Sequence, residues 1–168
     1  TWWVDVARAY FDTGDESYAA FLNDVVLDWY LSHPRPGGNM QSNRRARFRQ
    51  MRAGAWRTLE VGERLRESWP EVFLYVRSSS SFTDIALAAF LRSCHEQAEY
   101  LVQHPKSAKW LLIESSGLLT TAVMYPEFQK SQGWRDTAND RLSRLADEQI
   151  QPDGSHIGGS PRYLFTCL

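Results

Sequence analysis

Apolar residues recur at helical spacing throughout this chain, in segments that open on capping residues and close on proline-bearing breakers. Thr83 stands where a cap belongs, and Leu87, Phe90, Leu91, Cys94, Ala98, Leu101 and Val102 follow in one register until His104-Pro105. Asp15 heads a segment that sets Tyr18, Phe21, Leu22, Val25, Val26 and Trp29 on one face. It stops at the breaker cluster His33-Pro34-Arg35-Pro36-Gly37-Gly38. Thr58 to Trp69 reads as a helix, and Pro70 starts or kinks further turns through Val76. Ser78 to Ser81 is a loop. Trp110 to Met124 is helical, with Ile113, Gly117, Thr121 and Met124 on one face. The last full helix is Ser131 to Ile150, with Trp134, Ala138, Leu142, Leu145 and Ala146 inward. No segment alternates β-branched residues as a strand would. His33-Pro34 and His104-Pro105 both close helices, a faint internal echo that suggests stacked hairpins. The expected fold is all-α, a set of antiparallel helical hairpins.

The length of 168 residues fits one domain or part of a larger one, and 43% hydrophobic content supplies a core. A net charge of -1 excludes a protein that is basic or acidic as a whole. No run of about 18 apolar residues is present, so no helical membrane span is expected. Cys94 lies on an apolar stripe and reads as a buried thiol, and with Cys167 it has no metal-like spacing. No metal cluster, phosphate loop or Ser-His-Asp arrangement is found, and no cofactor is expected in this chain. From Trp29 to Leu59 there is no acidic residue, while Arg35, Arg44, Arg45, Arg47, Arg49, Arg52 and Arg57 fall within the span. Arginine suits planar anions because its fork donates in pairs, so Arg44, Arg45 and Arg47 are candidate contacts to an anionic chain. A solvated helix face would carry the same residues.

The segment from Gln151 to Tyr163 is the best candidate for a site. Pro152 cannot continue a helix, and Asp153-Gly154 is turn chemistry. Ser160-Pro161 reads as the start of a further element, so a polar loop with His156, Arg162 and Tyr163 lies between two helices. Pro152-Asp153-Gly154-Ser155-His156-Ile157 with Ser160-Pro161-Arg162-Tyr163 resembles the PDG-x-H-[IF]-E-x-SP-x-Y-H segment of the heparinase II/III-like polysaccharide lyases, in their N-terminal helical domain. Three further blocks follow that family's order. Trp56-Arg57 through Glu60 and Arg64 resembles its W-R-x-L-x2-G-x-R. Lys109-Trp110 with Glu114 and Gly117-Leu118 is similar to its N-[HW]-x3-E-x2-GL. Tyr125-Pro126-Glu127-Phe128 with Trp134 is similar to its FPEF…W.

The resemblance implies an incomplete (α/α) toroid, residues 1–168 forming one helical domain of a larger lyase whose C-terminal β-sandwich domain lies elsewhere. It implies β-elimination on uronate-containing acidic polysaccharide, of glycosaminoglycan or alginate type. Tyr163 would move the proton, Lys109 would take the family's Asn place at the substrate carboxylate, and His156 would be a second base or a sugar contact. Trp110, Glu114 and Arg162 would line the substrate, unless Glu114 orients a site residue or simply pairs with an arginine. Three positions depart from the pattern: Lys109 for Asn, Gly158 for Glu and Leu164 for His. They keep a second reading open, a non-catalytic helical module that holds anionic glycan. No nucleic acid or membrane partner is expected. The start at Thr1 is what a mature secreted product or a trimmed piece would show, and a periplasmic or secreted bacterial location is the expectation.

Overall fold

The computed structural model describes residues 2–36, 54–106, 109–155 and 157, and of Lys109 the backbone alone. Within these residues the chain forms helices α1 (Trp2–Thr13), α2 (Glu16–Ser32), α3 (Thr58–Glu63), a π turn (Arg64–Ser68), α4 (Trp69–Val76), α5 (Asp84–Gln103), α6 (Lys109–Met124) and α7 (Ser131–Gln149). No strand occurs among the described residues. Three antiparallel hairpins stand side by side: α1 with α2, α3–α4 with α5, and α6 with α7. The first members run parallel, since Trp3 meets Trp69, Phe11 meets Tyr75 and Phe73 meets Tyr125. The second members also run parallel, since Asn23 meets Thr83, Arg35 meets Gln103 and Arg141 reaches Leu101. The expected all-α hairpin fold is therefore the observed one.

Both expected caps form. Asp15 accepts the Ser17 N–H at 2.9 Å, and the Thr83 hydroxyl accepts the Ala86 N–H at 3.3 Å. Helix α3, the π turn and α4 run on without a break, so Pro70 neither starts nor stops a helix. The Trp69 N–H bonds to the Arg64 carbonyl, five residues back, which widens the turn just before the proline. A proline ring inside a helix meets the carbonyl four residues behind it, and a wider turn makes the room. Helix α1 has no expectation in the sequence reading. It forms because Trp3, Val4 and Ala7 bury one stripe. The face expected of α2 is buried only in part. Tyr18 and Phe21 are 37% and 51% exposed, while Leu22 and Val26 of the expected face are buried, with Ala19 and Asn23 turned inward beside them. Asn23 goes inside because its amide oxygen accepts both the N–H and the hydroxyl of Thr83, at 3.0 and 2.7 Å. In α7, Trp134, Ala138 and Leu145 are buried, while Ala146 is exposed and Leu142 half-buried.

The core is aromatic. Trp3 stacks on Trp69 at 5.8 Å, and Trp29 stands edge-on to both at 5.9 Å. Cys94 is buried as expected, and burial pushes its thiol well up from the usual range. Helices α3 and α6 approach closest where two glycines face each other. A Cβ on Gly117 would lie 2.5 Å from the Gly62 carbonyl oxygen, and one on Gly62 would lie 2.8 Å from that of Ile113.

Candidate functional site at one end of the hairpins

The described helix ends on either side of the breaks between hairpins all fall at one end. This rim gathers the C-termini of α2, α5 and α7 with the N-termini of α3 and α6. Two of the C-termini are built alike. The His33 N–H and Nδ1 both face the Trp29 carbonyl, at 3.0 and 3.3 Å, and its ring stacks on Trp29 at 4.2 Å. The His104 N–H and Nδ1 face the Tyr100 carbonyl, both at 3.0 Å, and its ring stacks on Tyr100 at 4.1 Å. An aromatic residue four before a His-Pro pair thus marks each helix end: the histidine takes the carbonyl one turn back and the proline, without an N–H, forbids the next bond. Trp56 joins the two ends. Its Nε1–H donates to the His33 carbonyl at 3.0 Å, and its ring stands edge-on to Tyr100 at 5.1 Å.

Three buried or half-buried polar side chains hold the rim from within. Arg64 donates Nε–H to Gln97 at 3.0 Å and Nη2–H to the Ala55 carbonyl, and lies 4.9 Å over the Trp29 ring. Burial brings its guanidinium down to about 10, while the Glu60 charge pulls the other way. Glu114 is 0% exposed, and its Oε2 accepts the Lys106 N–H at 3.0 Å. Its Oε1 has no partner among the described residues. Arg141 donates to the carbonyls of Leu101 and Val102, at 3.2 and 3.0 Å, and so finishes the last turn of α5 from outside. Desolvation lowers the Arg141 guanidinium, and the charge of Glu114 opposes that shift.

The Pro152-Asp153-Gly154 segment makes the turn its sequence implies. The Gly154 N–H closes on the Gln151 carbonyl and the Gln151 N–H on that of Ser155, both at 2.8 Å. Gly154 sits at φ +82, which only glycine adopts cheaply. Asp153 Oδ1 accepts the Ser155 N–H at 2.9 Å, and its hydrogen bonds with Ser155 hold the carboxyl below its usual range. The turn folds back on the end of α7, where the Ile157 N–H meets the Gln149 carbonyl at 2.9 Å.

Of the residues singled out in the sequence, Trp110 is 37% exposed at the start of α6, with the Arg57 guanidinium 4.7 Å over its ring. Lys109 opens the same helix. Glu114 departs from its expected place on the substrate: it is buried, so it has no surface to offer a polysaccharide and grips the loop before α6 instead. Arg44, Arg45, Arg47, His156, Arg162 and Tyr163 lie outside the described residues, as do Gly158, Leu164 and the helix start at Ser160-Pro161. The stacking of Arg57 on Trp110 and the anchoring parts of Arg64 and Arg141 were not legible beforehand. Both members of the stacked pair belong to motif blocks, but no local pattern joins them. A cavity of about 740 Å³ opens beside this rim, between α1, α2, α3, the π turn and the start of α4, with Trp29, His33, Glu60 and Arg64 of the rim on its walls. Asp5, Asp28, Glu60, Glu63, Glu67 and Glu71 outnumber Arg8 and Arg64 on its walls, and Trp110 is not among them. That sign opposes an acidic chain, so the rim at Trp110 is the better candidate.

Parallel helical hairpins with an anchored, aromatic and cationic rim at one end define an (α/α) hairpin domain. The whole chain, residues 1–168, matches the family described as heparinase II/III N-terminus, and it belongs to that family. It is 34% identical over 168 residues to a heparin-sulfate lyase of Pedobacter heparinus, covering 99% of this chain and 24% of that protein. It is 30% identical over 166 residues to a heparin-sulfate lyase of Bacteroides thetaiotaomicron, covering 96% of this chain and 22% of that protein. The fold is similar to the crystal structure of a heparan sulfate lyase from Pedobacter heparinus, with a TM-score of 0.79 and 35% identity over 97% of this chain and 24% of that one. A heparinase III structure gives a TM-score of 0.86 at 26% identity, over 99% of this chain and 27% of that one. The chain thus spans about a quarter of the length of the relatives it matches.

Proposed function

We propose that this chain is the N-terminal helical part of a longer lyase that cleaves a uronate-containing glycosaminoglycan by β-elimination. The observation that carries the reading is the whole-chain family match together with relatives named heparin-sulfate lyases. In the reaction a base takes the proton from C5 of the uronate. The freed electron pair forms the C4–C5 double bond, the bond from C4 to the leaving O4 breaks, and O4 is protonated. Tyr163 moves a proton, on the strength of the SP-x-Y block. Lys109 offers its charge to the uronate carboxylate, which makes C5–H more acidic, and His156 assists as a second base or sugar contact. Trp110 and Arg162 line the substrate, and Arg44, Arg45 and Arg47 extend the cationic track along the chain. The scheme asks for no cofactor.

The departures at Lys109, Gly158 and Leu164 favour one other reading, a module that holds anionic glycan without cleaving it. The two separate in one assay: the full-length protein with heparan sulfate, followed at the unsaturated-uronate absorbance band. Elimination is expected, and Tyr163→Phe should lower it by at least about 10²-fold, the usual contribution of a general acid–base group. A full-length protein that binds heparan sulfate without any rise in absorbance would establish the binding module instead.

A further inference from the structure

We propose that Arg57, seated on Trp110, is an anion-recognition residue of this rim that takes a carboxylate or sulfate of the glycan and is restrained by Glu60. The proposal rests on the lyase reading and adds a specificity-determining residue to it. The guanidinium lies 4.7 Å over the exposed Trp110 ring, which fixes its plane. Its Nη1 reaches Glu60 Oε1 at 3.1 Å; its Nε–H is buried and without a partner among the described residues, so the exposed tip of the guanidinium is what a ligand would meet. Arginine carries five donors, and one carboxylate three residues along the chain does not occupy them. The second oxygen of Glu60 is likewise buried and without a partner among the described residues. Both side chains remain partly exposed, at 30% for Arg57 and 43% for Glu60, and an ion pair of that kind is weak enough for a polyanion to displace.

The pair is also held ready. Trp56 and Thr58 on either side of Arg57 are buried, so the backbone beneath the guanidinium is fixed. Trp110 belongs to α6, and the Gly62–Gly117 crossing sets the separation of α6 from α3. Binding therefore orders little that was free, which favours affinity. A guanidinium suits an oxyanion because its planar fork donates two parallel hydrogen bonds, a geometry that lysine lacks. Lys109 opens α6 beside Trp110, so one rim would carry an arginine for planar recognition and a lysine for charge.

The test uses the full-length protein and two substitutions with opposite expected signs. Arg57→Gln should raise KM on heparan sulfate about tenfold, the worth of one charge-assisted hydrogen bond, with the loss in KM rather than kcat. Glu60→Gln removes the restraining carboxylate and should lower KM by about twofold to fivefold, and Arg57→Lys should fall between Arg57→Gln and wild type. A purely structural ion pair would give loss in both variants. Retention on immobilised heparin in a salt gradient reads the same effect without turnover: Arg57→Gln should elute earlier and Glu60→Gln later. If the wild type never cleaves but those elution shifts appear, the recognition role stands and the lyase reading fails. If the wild type cleaves and neither KM nor elution moves, or Glu60→Gln weakens binding, the proposal for Arg57 is overturned.

Discussion

The crossing of α3 and α6 offers a substitution whose sign depends only on position. Adding a Cβ at Gly117 places it 2.5 Å from the Gly62 carbonyl oxygen and 2.9 Å from the Gly62 Cα. Both atoms are backbone of a helix inside the core, so neither can swing aside as a side chain would. Overpacking of a tight core costs about 1–3 kcal/mol, and a clash with backbone belongs at the upper end. A domain of this size shifts its melting temperature by about 2–4 °C per kcal/mol, so Gly117→Ala should lower it by roughly 6–12 °C. Gly62→Ala, with 2.8 Å to the Ile113 oxygen, should behave alike. The double variant should lose less than the sum, because one separation of the helices relieves both clashes. Gly133 supplies the control: it is an exposed glycine of α7, and a Cβ there meets nothing within 4 Å. Gly133→Ala should gain about 0.5–1 kcal/mol from the smaller entropy of the unfolded chain, or roughly 1–4 °C. The assay is thermal unfolding by circular dichroism on the 168-residue chain. If Gly117→Ala melted with the wild type at unchanged helicity, the close crossing would be refuted, and with it the fixed spacing of Arg57 and Trp110.

Two further outcomes are expected. Asn23→Ala should cost about 1–2 kcal/mol in urea unfolding, because the Thr83 N–H and hydroxyl both lose their acceptor at the cap of α5. Glu99 should make stability fall in acid. Burial alone would raise its carboxyl, but Lys130 and the Trp134 Nε1–H at 2.8 Å together hold it below the usual range. A folded-state pKa below the unfolded one means the contribution is complete above about pH 4.3 and is lost as pH falls through the lower, folded value. Glu99→Gln should flatten that part of the stability–pH curve, and an unchanged curve would count against the assignment.

Local signals carried through to the structure. Asp15 and Thr83 cap, the two His-Pro pairs stop helices, and Pro152-Asp153-Gly154 turns, because each depends on a few neighbouring residues. What failed needed partners far along the chain. Tyr18 and Phe21 share the apolar rhythm of α2 with Leu22 and Val26, yet only the latter two are buried, together with Ala19 and with Asn23 drawn in by Thr83. Helix α6 was given one inward face, but Leu111, Ile113, Glu114, Ser115, Gly117, Leu118, Thr121 and Ala122 are all buried. A helix enclosed nearly all round shows no single stripe to read. The motif blocks looked like separate features of the sequence. In the fold Arg57 lies on Trp110 and Gly62 faces Gly117, so two of the blocks are one contact surface seen twice.

The distribution of buried charge supports the rim independently of any resemblance. Arg64, Glu114 and Arg141 all reach into this end, and none makes an ion pair within 4 Å among the described residues. Apart from these three residues the buried ties are neutral or neutralised. Asn23 holds Thr83, the Ser131 hydroxyl donates to the Ala122 carbonyl at 2.7 Å, and Glu99 meets Lys130. Placing a charge inside a protein without a close counter-charge costs several kcal/mol, and an apolar side chain of similar volume would stabilise the core more. The cost is offset here only in part, by bonds to backbone groups: the Ala55 carbonyl, the Lys106 N–H, and the carbonyls of Leu101 and Val102. Each of those groups belongs to a helix end or connection that faces the rim. A fold tolerates such an arrangement where loops must keep one geometry through ligand binding, since precision there outweighs stability. On that argument Arg64→Met should cost less stability than a buried apolar truncation, yet disturb the Ala55–Arg57 connection and weaken heparin retention. A variant with wild-type retention and a lowered melting temperature would place Arg64 in the scaffold alone.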